Sequence, residues 1–206
     1  MNQPNWLHWA QQIQAIAQTG LTYTEGMYDR ERYHALQQIA AEIMAVGSNG
    51  DVQQILDLFA QESGYPTPKV DVRGVVFRDD KILLVLERAD GGWTLPGGWA
   101  DVGDSPAECV VREVREESGF EVRAVKLLAL YDRNRHGHDP HPDYIYKLFF
   151  LCELVGGTAV PSIETAAVDF FPVDNLPPLS TSRVTAVQIQ RMYAHYHHPE
   201  WPTDFD

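Results

Sequence analysis

The chain has 206 residues, 44% of them hydrophobic and 11% aromatic, which fits one full domain plus a small one and excludes a disordered chain. Its formal charge of −13, from 29 acidic and 16 basic residues, repels polyanions at long range and weighs against a nucleic-acid partner. A small phosphate-bearing substrate stays compatible with that charge wherever metal ions neutralise the site locally.

Cys109 and Cys152 are the only cysteines, too few for a disulfide framework or a zinc knuckle. The longest apolar run, around Leu148–Cys152, is far too short to cross a bilayer. The start, "MNQPNWLHWAQQ", has neither a basic opening nor an apolar signal core, so a cytoplasmic protein with no membrane segment is expected.

In chain order, residues 1–62 contain no convincing strand. Trp6, Trp9, Ile13 and Ile16 recur at helical spacing until "GLTYTEG" breaks the pattern. The stretch "YDRERYHALQQIAAEIMAV" places Tyr33, Leu36, Ile39, Ala40 and Ile43 on one face, and "GSNG" closes it. Asp51 reads as the N-cap of a third helix, "VQQILDLFAQE". The prolines and glycine of "SGYPTPKV" read as a linker, so a helical domain over 1–66 is expected to precede a second domain over 67–206.

After the linker the pattern turns to strands. "VDVRGVVFRD" and "KILLVLER" flank an Asp-rich turn and read as a hairpin, and "WTLPGG" is a short strand entering a loop. A helix follows from Pro106 to Ser118, then strands "AVKLLALYDRN" and "YIYKLFFLCEL" around a long polar loop. The strand "DFFPV" and the amphipathic helix "TSRVTAVQIQRMYAHY", with Val184, Val187, Ile189 and Met192 among its apolar positions, end the series. The expected fold class is α+β: a mixed sheet between helices, behind a small all-α domain.

The helix after the glycine loop is unusually well specified. Ser105 serves as N-cap, Pro106 opens the first turn, Glu108 completes a capping box, and Gly119 supplies a left-handed stop. Ala107, Val110, Val111 and Val114 share the side expected to face the sheet. Glu113, Glu116 and Glu117 fall at i, i+3 and i+4 on the neighbouring side. Two carboxylates about 6 Å apart repel by roughly 3 kcal/mol at an effective dielectric near 20. Arg112 and Arg115 relieve part of this on a plain solvated helix, but "LPGG" just before lets backbone approach a ligand. Clustered hard oxygens with a carbonyl near Gly97 suit Mg²⁺ or Mn²⁺.

Gly98, five residues, Asp104, seven residues and then "REVREESGF" resemble the Nudix box, G-x5-E-x7-R-E-U-x-E-E-x-G-U. Gly98, Arg112, Glu113, Val114, Glu116, Glu117, Gly119 and Phe120 match, and Asp104 stands where the family has Glu. The resemblance implies the Nudix fold and metal-dependent hydrolysis of a nucleoside diphosphate linked to another moiety. It also implies that Glu113, Glu116 and Glu117 hold Mg²⁺ or Mn²⁺ with the Gly97 carbonyl, and that Arg112 orients the glutamates. With the helical start and "GLTYTEGMYDRERY", the chain further resembles a bacterial subgroup of ADP-ribose pyrophosphatases that includes CDP-choline pyrophosphatase. That likeness implies a homodimer formed through the N-terminal module, for which Trp6 and Trp9 are the residues to pack or pair.

Outside the box, Glu164 is a candidate base or extra metal ligand, since the family often places a carboxylate in that loop. Arg73 on the first strand is a candidate phosphate ligand. In "DRNRHGHDPHPD", a zinc site lacks the spacing, and a flexible cationic lid with Arg133 and His138 is preferred. Trp99 and Tyr144 are candidates to stack on a base. Action on RNA ends and non-catalytic nucleotide sensing are the rival functions; the acidic balance weighs against the first and the intact glutamates against the second.

Overall fold

The structure is a computed structural model that describes residues 5–206. It divides into two compact units, Met1–Pro68 with Pro140–Tyr144, and Lys69–Asp139 with Ile145–Asp206.

The first unit holds α1 (Asn5–Tyr23), α2 (Met27–Ser48) and α3 (Val52–Ala60). α1 ends at Tyr23, inside the "GLTYTEG" stretch expected to break it, and so includes Gly20. Gly20 is a packing notch: a Cβ there would enter the Tyr33 ring of α2. Gly47 plays the same part against the Trp6 ring, so Trp6 belongs to the packing of this unit. The buried stripe of α2 is Ala40, Ala41, Met44 and Ala45, which meets Leu7 and Ala10 of α1 and Ile55 and Phe59 of α3. This corrects the expected face by about one position: Ile39 is exposed, because small alanines let the helices approach more closely than branched side chains do. Asp51 caps α3 as expected, accepting from the Gln54 amide at 2.9 Å. Trp9, Ile16 and Tyr23 are exposed at 56%, 60% and 69%, and their seven-residue spacing draws one apolar stripe down α1.

The second unit is a mixed sheet with a helix on each face. Its elements are β1 (Lys69–Arg78), β2 (Lys81–Glu87), β3 (Trp93–Thr94), α4 (Pro106–Ser118), β4 (Phe120–Asp132), β5 (Ile145–Gly157), β6 (Thr165–Pro172), α5 (Ala186–His197) and β7 (Asp204–Phe205). Strand order is β3-β2-β1-β5-β4-β7, with β6 also paired to β2. The β1–β2 hairpin turns on Asp79 and Asp80, both at positive φ. β1 runs parallel to β5, and β5 antiparallel to β4.

α4 lays Cys109, Val110 and Val114 on one face of the sheet, against Val72, Val76, Leu148 and Phe150. Its buried stripe also takes in Glu117 and leaves Ala107 exposed, a rotation from the expected side. The helix termini match expectation: the Ser105–Glu108 capping box is formed, and Gly119 stops the helix at φ 76°. α5 covers the other face with Ile189 and Met192 beside Val184, Val75, Leu84 and Phe149, while Val187 faces solvent. β7, which sequence patterning did not expect, pairs parallel to β4. Asp204 fastens it: it accepts two hydrogen bonds from Arg191 (2.5 and 2.8 Å) and one from Tyr131 (3.0 Å).

Candidate active site

The site forms where β1, the 95–100 loop and α4 converge. The loop is zipped to β1 through backbone: the Val72 amide donates to Gly98 O, the Gly74 amide to Pro96 O and the Ala100 amide to Val70 O, at 2.8, 2.8 and 2.9 Å. Gly97 lies so close to β1, at φ 140°, that a Cβ would enter the Val72 carbonyl oxygen. The closeness explains the glycine: only a residue without a side chain turns here while its own amide faces α4. That amide donates to Glu117 Oε2 at 2.8 Å.

On α4, Arg112 gathers four acids. Its Nη1 donates to Glu113 at 2.8 Å and Glu116 at 3.0 Å, its Nη2 to Asp101 at 2.7 Å, and its Nε to Asp104 at 3.2 Å. Asp104, the departure from the box, therefore keeps a carboxylate in contact with the arginine. Burial raises Glu113 above the usual carboxylate range, with Arg112 opposing the shift. Burial pushes Glu117 up to about 7, against the pull of Arg73 and the Gly97 amide. Glu87 at the end of β2 is likewise raised by burial.

These residues fit a hard divalent cation by chemistry and by room. The donors are all oxygens, two of the carboxylates are buried beyond what their cationic neighbours relieve, and Gly98 leaves a space that a Cβ would fill 3.1 Å from Glu113 Oε2. Among the described residues no three acidic, His or Cys side chains are already drawn together as a finished metal site. Glu113 and Glu116 are turned to Arg112 and Glu117 to the loop, so holding an ion asks these side chains to change partners.

The residues expected outside the box fall in different surroundings. Arg73 does not extend into open space: its Nε and Nη2 donate to Asp71 at 2.7–3.1 Å, its Nη1 donates to Leu95 O at 3.1 Å, and Glu117 and Glu87 face it. Arg133 is only 2% exposed, with its guanidinium donating to the Asp139 and Ser182 carbonyls at 2.7 and 3.1 Å. His138 Nδ1 donates to the Thr181 carbonyl at 2.8 Å, and burial holds the ring neutral, down at about 4. The two residues expected to form a flexible lid both hydrogen-bond backbone carbonyls of neighbouring loops. Trp99 is half exposed, bridged to Asp71 through backbone, with Lys69 above its ring. Glu164 is exposed; its amide donates to Ser162 Oγ, its carbonyl accepts from Arg88, and its nearby acid is Glu87. Tyr144 lies in the Pro140–Tyr144 segment that groups with the helices, where Gln11 donates to the His141 carbonyl at 3.1 Å.

Sequence reasoning missed Asp71, Lys147 and Glu87. Lys147 ion-pairs with Asp71 in the interior, and Glu87 pairs with Arg183 at 3.2 Å. The signal was present: a charged residue in the middle of "VDVRGVV" or "YIYKLFF" interrupts a strand buried on both faces, and such charges persist only when paired.

Comparison with known proteins adds to this geometry. The model of a UDP-X-like, N-terminal oligomerisation domain matches residues 4–59, and the NUDIX domain model matches residues 67–192. YjhB of Bacillus subtilis (strain 168), named a candidate ADP-ribose pyrophosphatase, is 48% identical over 204 residues, covering 99% of this chain and 98% of its own. The crystal structure of a UDP-X diphosphatase superposes over 100% of both chains at 34% identity and a TM-score of 0.64. That of an ADP-ribose pyrophosphatase from Streptococcus suis 89-1591 covers 68% of this chain and 100% of its own, at 44% identity and a TM-score of 0.63.

Proposed function

The chain belongs to the Nudix family, and on that premise we propose that it hydrolyses the pyrophosphate bond of a nucleoside diphosphate linked to another moiety, releasing a nucleoside monophosphate. The observation that carries this reading is the junction of the Gly97 loop with an α4 face bearing Glu113, Glu116 and Glu117 under one arginine. ADP-ribose leads the substrates to test, because relatives bearing that name match over the whole chain and over the catalytic domain; UDP-linked compounds and CDP-choline follow.

Glu113, Glu116, Glu117 and the Gly97 carbonyl are the proposed ligands of Mg²⁺ or Mn²⁺, which when bound neutralises pyrophosphate charge and activates water. Arg112 holds Glu113 and Glu116 at one end of the helix face, and the Gly97 amide aims Glu117 from the other. Glu164 is the proposed additional carboxylate from the loop before β6, and Arg73, within electrostatic reach of Glu117 and Glu87, is a proposed phosphate contact. Trp99, Arg133, His138 and Tyr144 are the proposed substrate contacts, with Arg133 and His138 acting from fixed positions.

The helical unit is the proposed dimerisation module, its exposed α1 stripe the surface that pairs; an oligomerisation domain is what its family model describes. Both cysteines are free and buried, which suits a reducing cytoplasm. No helix among the described residues is long and apolar enough to cross a membrane.

Purified chain assayed against ADP-ribose, UDP-linked sugars, CDP-choline and capped RNA, with Mg²⁺ and with chelator, tests the reading. Metal-dependent release of a nucleoside monophosphate supports it. Absence of turnover on every diphosphate substrate overturns it.

A further inference from the structure

Asp71 on β1 and Lys147 on β5 are direct partners in the parallel pairing of the two strands, and both are buried, at 3% and 2% exposure. One carboxylate serves two interior cations. Arg73 donates to Asp71 through Nε, at 3.1 Å to each oxygen, and through Nη2 at 2.7 Å, while the Lys147 ammonium donates to Oδ2. A buried charge without a partner is expensive, and half of Asp71 is not a full partner. The remaining balance for Arg73 is electrostatic, from Glu117 and Glu113 of α4 and Glu87 of β2. Its Nη1 is fixed on Leu95 O at 3.1 Å, two residues before the glycine whose amide holds Glu117. Arg73 is thus bonded to Asp71 and backs directly on Gly97, whose Cβ would lie 3.0 Å from Arg73 Cα and whose amide holds Glu117.

A guanidinium and a divalent cation compete for the same carboxylates. We infer that Asp71 and Lys147 are positioning residues of the site: by sharing the Asp71 carboxylate they set how far Arg73 leans on Glu117, and through it how tightly the glutamates hold a divalent cation. The inference rests on the metal-dependent reading proposed above. Neither residue touches substrate or ion; each acts through Arg73. Without the Asp71 charge, Arg73 turns wholly to the glutamates and displaces the cation. Without Lys147, Asp71 draws Arg73 back and the cation binds more firmly.

The test is Mn²⁺ binding to the full chain without nucleotide, read from the electron paramagnetic resonance signal of free Mn²⁺, with thermal unfolding as the check on folding. Asp71→Asn weakens binding about tenfold, as loss of an outer-shell partner does, and Asp71→Glu restores part of it. In an Arg73→Gln background the same Asp71→Asn change shifts affinity less than about twofold, because its route is gone. Lys147→Met moves affinity the opposite way, again only while Arg73 is present. Equal weakening by Asp71→Asn with and without Arg73, or none, overturns the inference while leaving the metal reading intact. If Asp71→Asn does not fold, Lys147→Met decides alone: unchanged Mn²⁺ affinity overturns it. A wild-type chain that binds no Mn²⁺ overturns the metal reading and the inference together.

Discussion

The Gly97 amide donates to Glu117 Oε2 at 2.8 Å, joining the loop and the helix at a carboxylate that is only 6% exposed. Because burial pushes Glu117 up to about 7, its ionised form opposes folding. The sign follows from linkage: stability is fullest below the unfolded carboxylate range and is lost as pH rises toward 7. Glu117→Gln keeps an oxygen to accept from Gly97 and removes the charge. In chelator, the variant is expected to melt at or above the wild-type temperature, with the gap opening between about pH 4.5 and 7. Hydrolysis with Mg²⁺ falls by about 10²–10³-fold, the range for losing one preorganised electrostatic group of a site. Wild-type turnover in this variant would refute the proposed role of the glutamates.

Gly97→Ala separates backbone from charge. The new Cβ enters the Val72 carbonyl, and φ 140° is strained for any L side chain. The loop must leave β1, taking the amide away from Glu117. Loss of about 1–3 kcal/mol in chemical denaturation is expected, together with weaker Mn²⁺ binding. An unchanged denaturation midpoint and metal affinity would show that the close approach is dispensable.

Arg112 binds four acids through a planar fork, a geometry that a lysine ammonium cannot reproduce. The arginine is about a third exposed and its pairs with Asp101 and Glu116 face solvent, so stability changes by no more than about 1 kcal/mol on Arg112→Lys. Activity falls about tenfold or more, as when second-shell support of a metal site is lost. Asp104→Glu, which restores the consensus carboxylate, keeps the arginine contact and leaves kcat/KM within about twofold. Rate measurements on the two variants check both statements.

The helix and its chemistry were legible because several local signals agreed: Ser105, Pro106 and Glu108 at one end, Gly119 at the other, and the box between them. The part Gly20 plays in packing was not legible, for the opposite reason. A glycine within a helical pattern is a stop by propensity, and only the Tyr33 ring across the helix pair makes it a notch. β7 was invisible because two residues carry no periodicity; Arg191 and Tyr131, distant in sequence, hold it through Asp204. The Asp71–Arg73–Lys147 group needs the β1–β5 register to be seen, since 76 residues separate its carboxylate from its ammonium. For the same reason the sequence offered Arg73 as a phosphate ligand without showing its bond to Asp71.

Asp204 sets an acid limit for the β7 attachment. Hydrogen bonds from Arg191 hold its carboxyl well below the usual range, reinforced by His195 and Tyr131. A depressed acid contributes stability that is present above its unfolded value and is lost as pH falls through its folded one. Asp204→Asn is therefore expected to melt below wild type at pH 7, and the two curves converge toward pH 2. A gap that stays constant across that range in thermal unfolding would exclude the ion pair as its source.

The α1 stripe supplies the last prediction. Trp9, Ile16 and Tyr23 stand on one helical face at seven-residue spacing, and all three remain exposed in the single chain. Trp6, one turn away, is packed against Gly47 and is already committed. Aromatic and aliphatic anchors in line are what a self-complementary helix contact requires, since each residue of the stripe meets its own copy's neighbour across a twofold axis. A Glu at two of these positions places like charges from both copies in a desolvated seam, which disfavours pairing by several kcal/mol or so. On the proposed pairing, the wild-type chain is expected to elute as a dimer in size-exclusion chromatography with light scattering, and Trp9→Glu with Ile16→Glu as a monomer. Trp6→Glu should instead destabilise the helical unit itself. A dimer that survives the paired α1 substitutions would move the interface elsewhere.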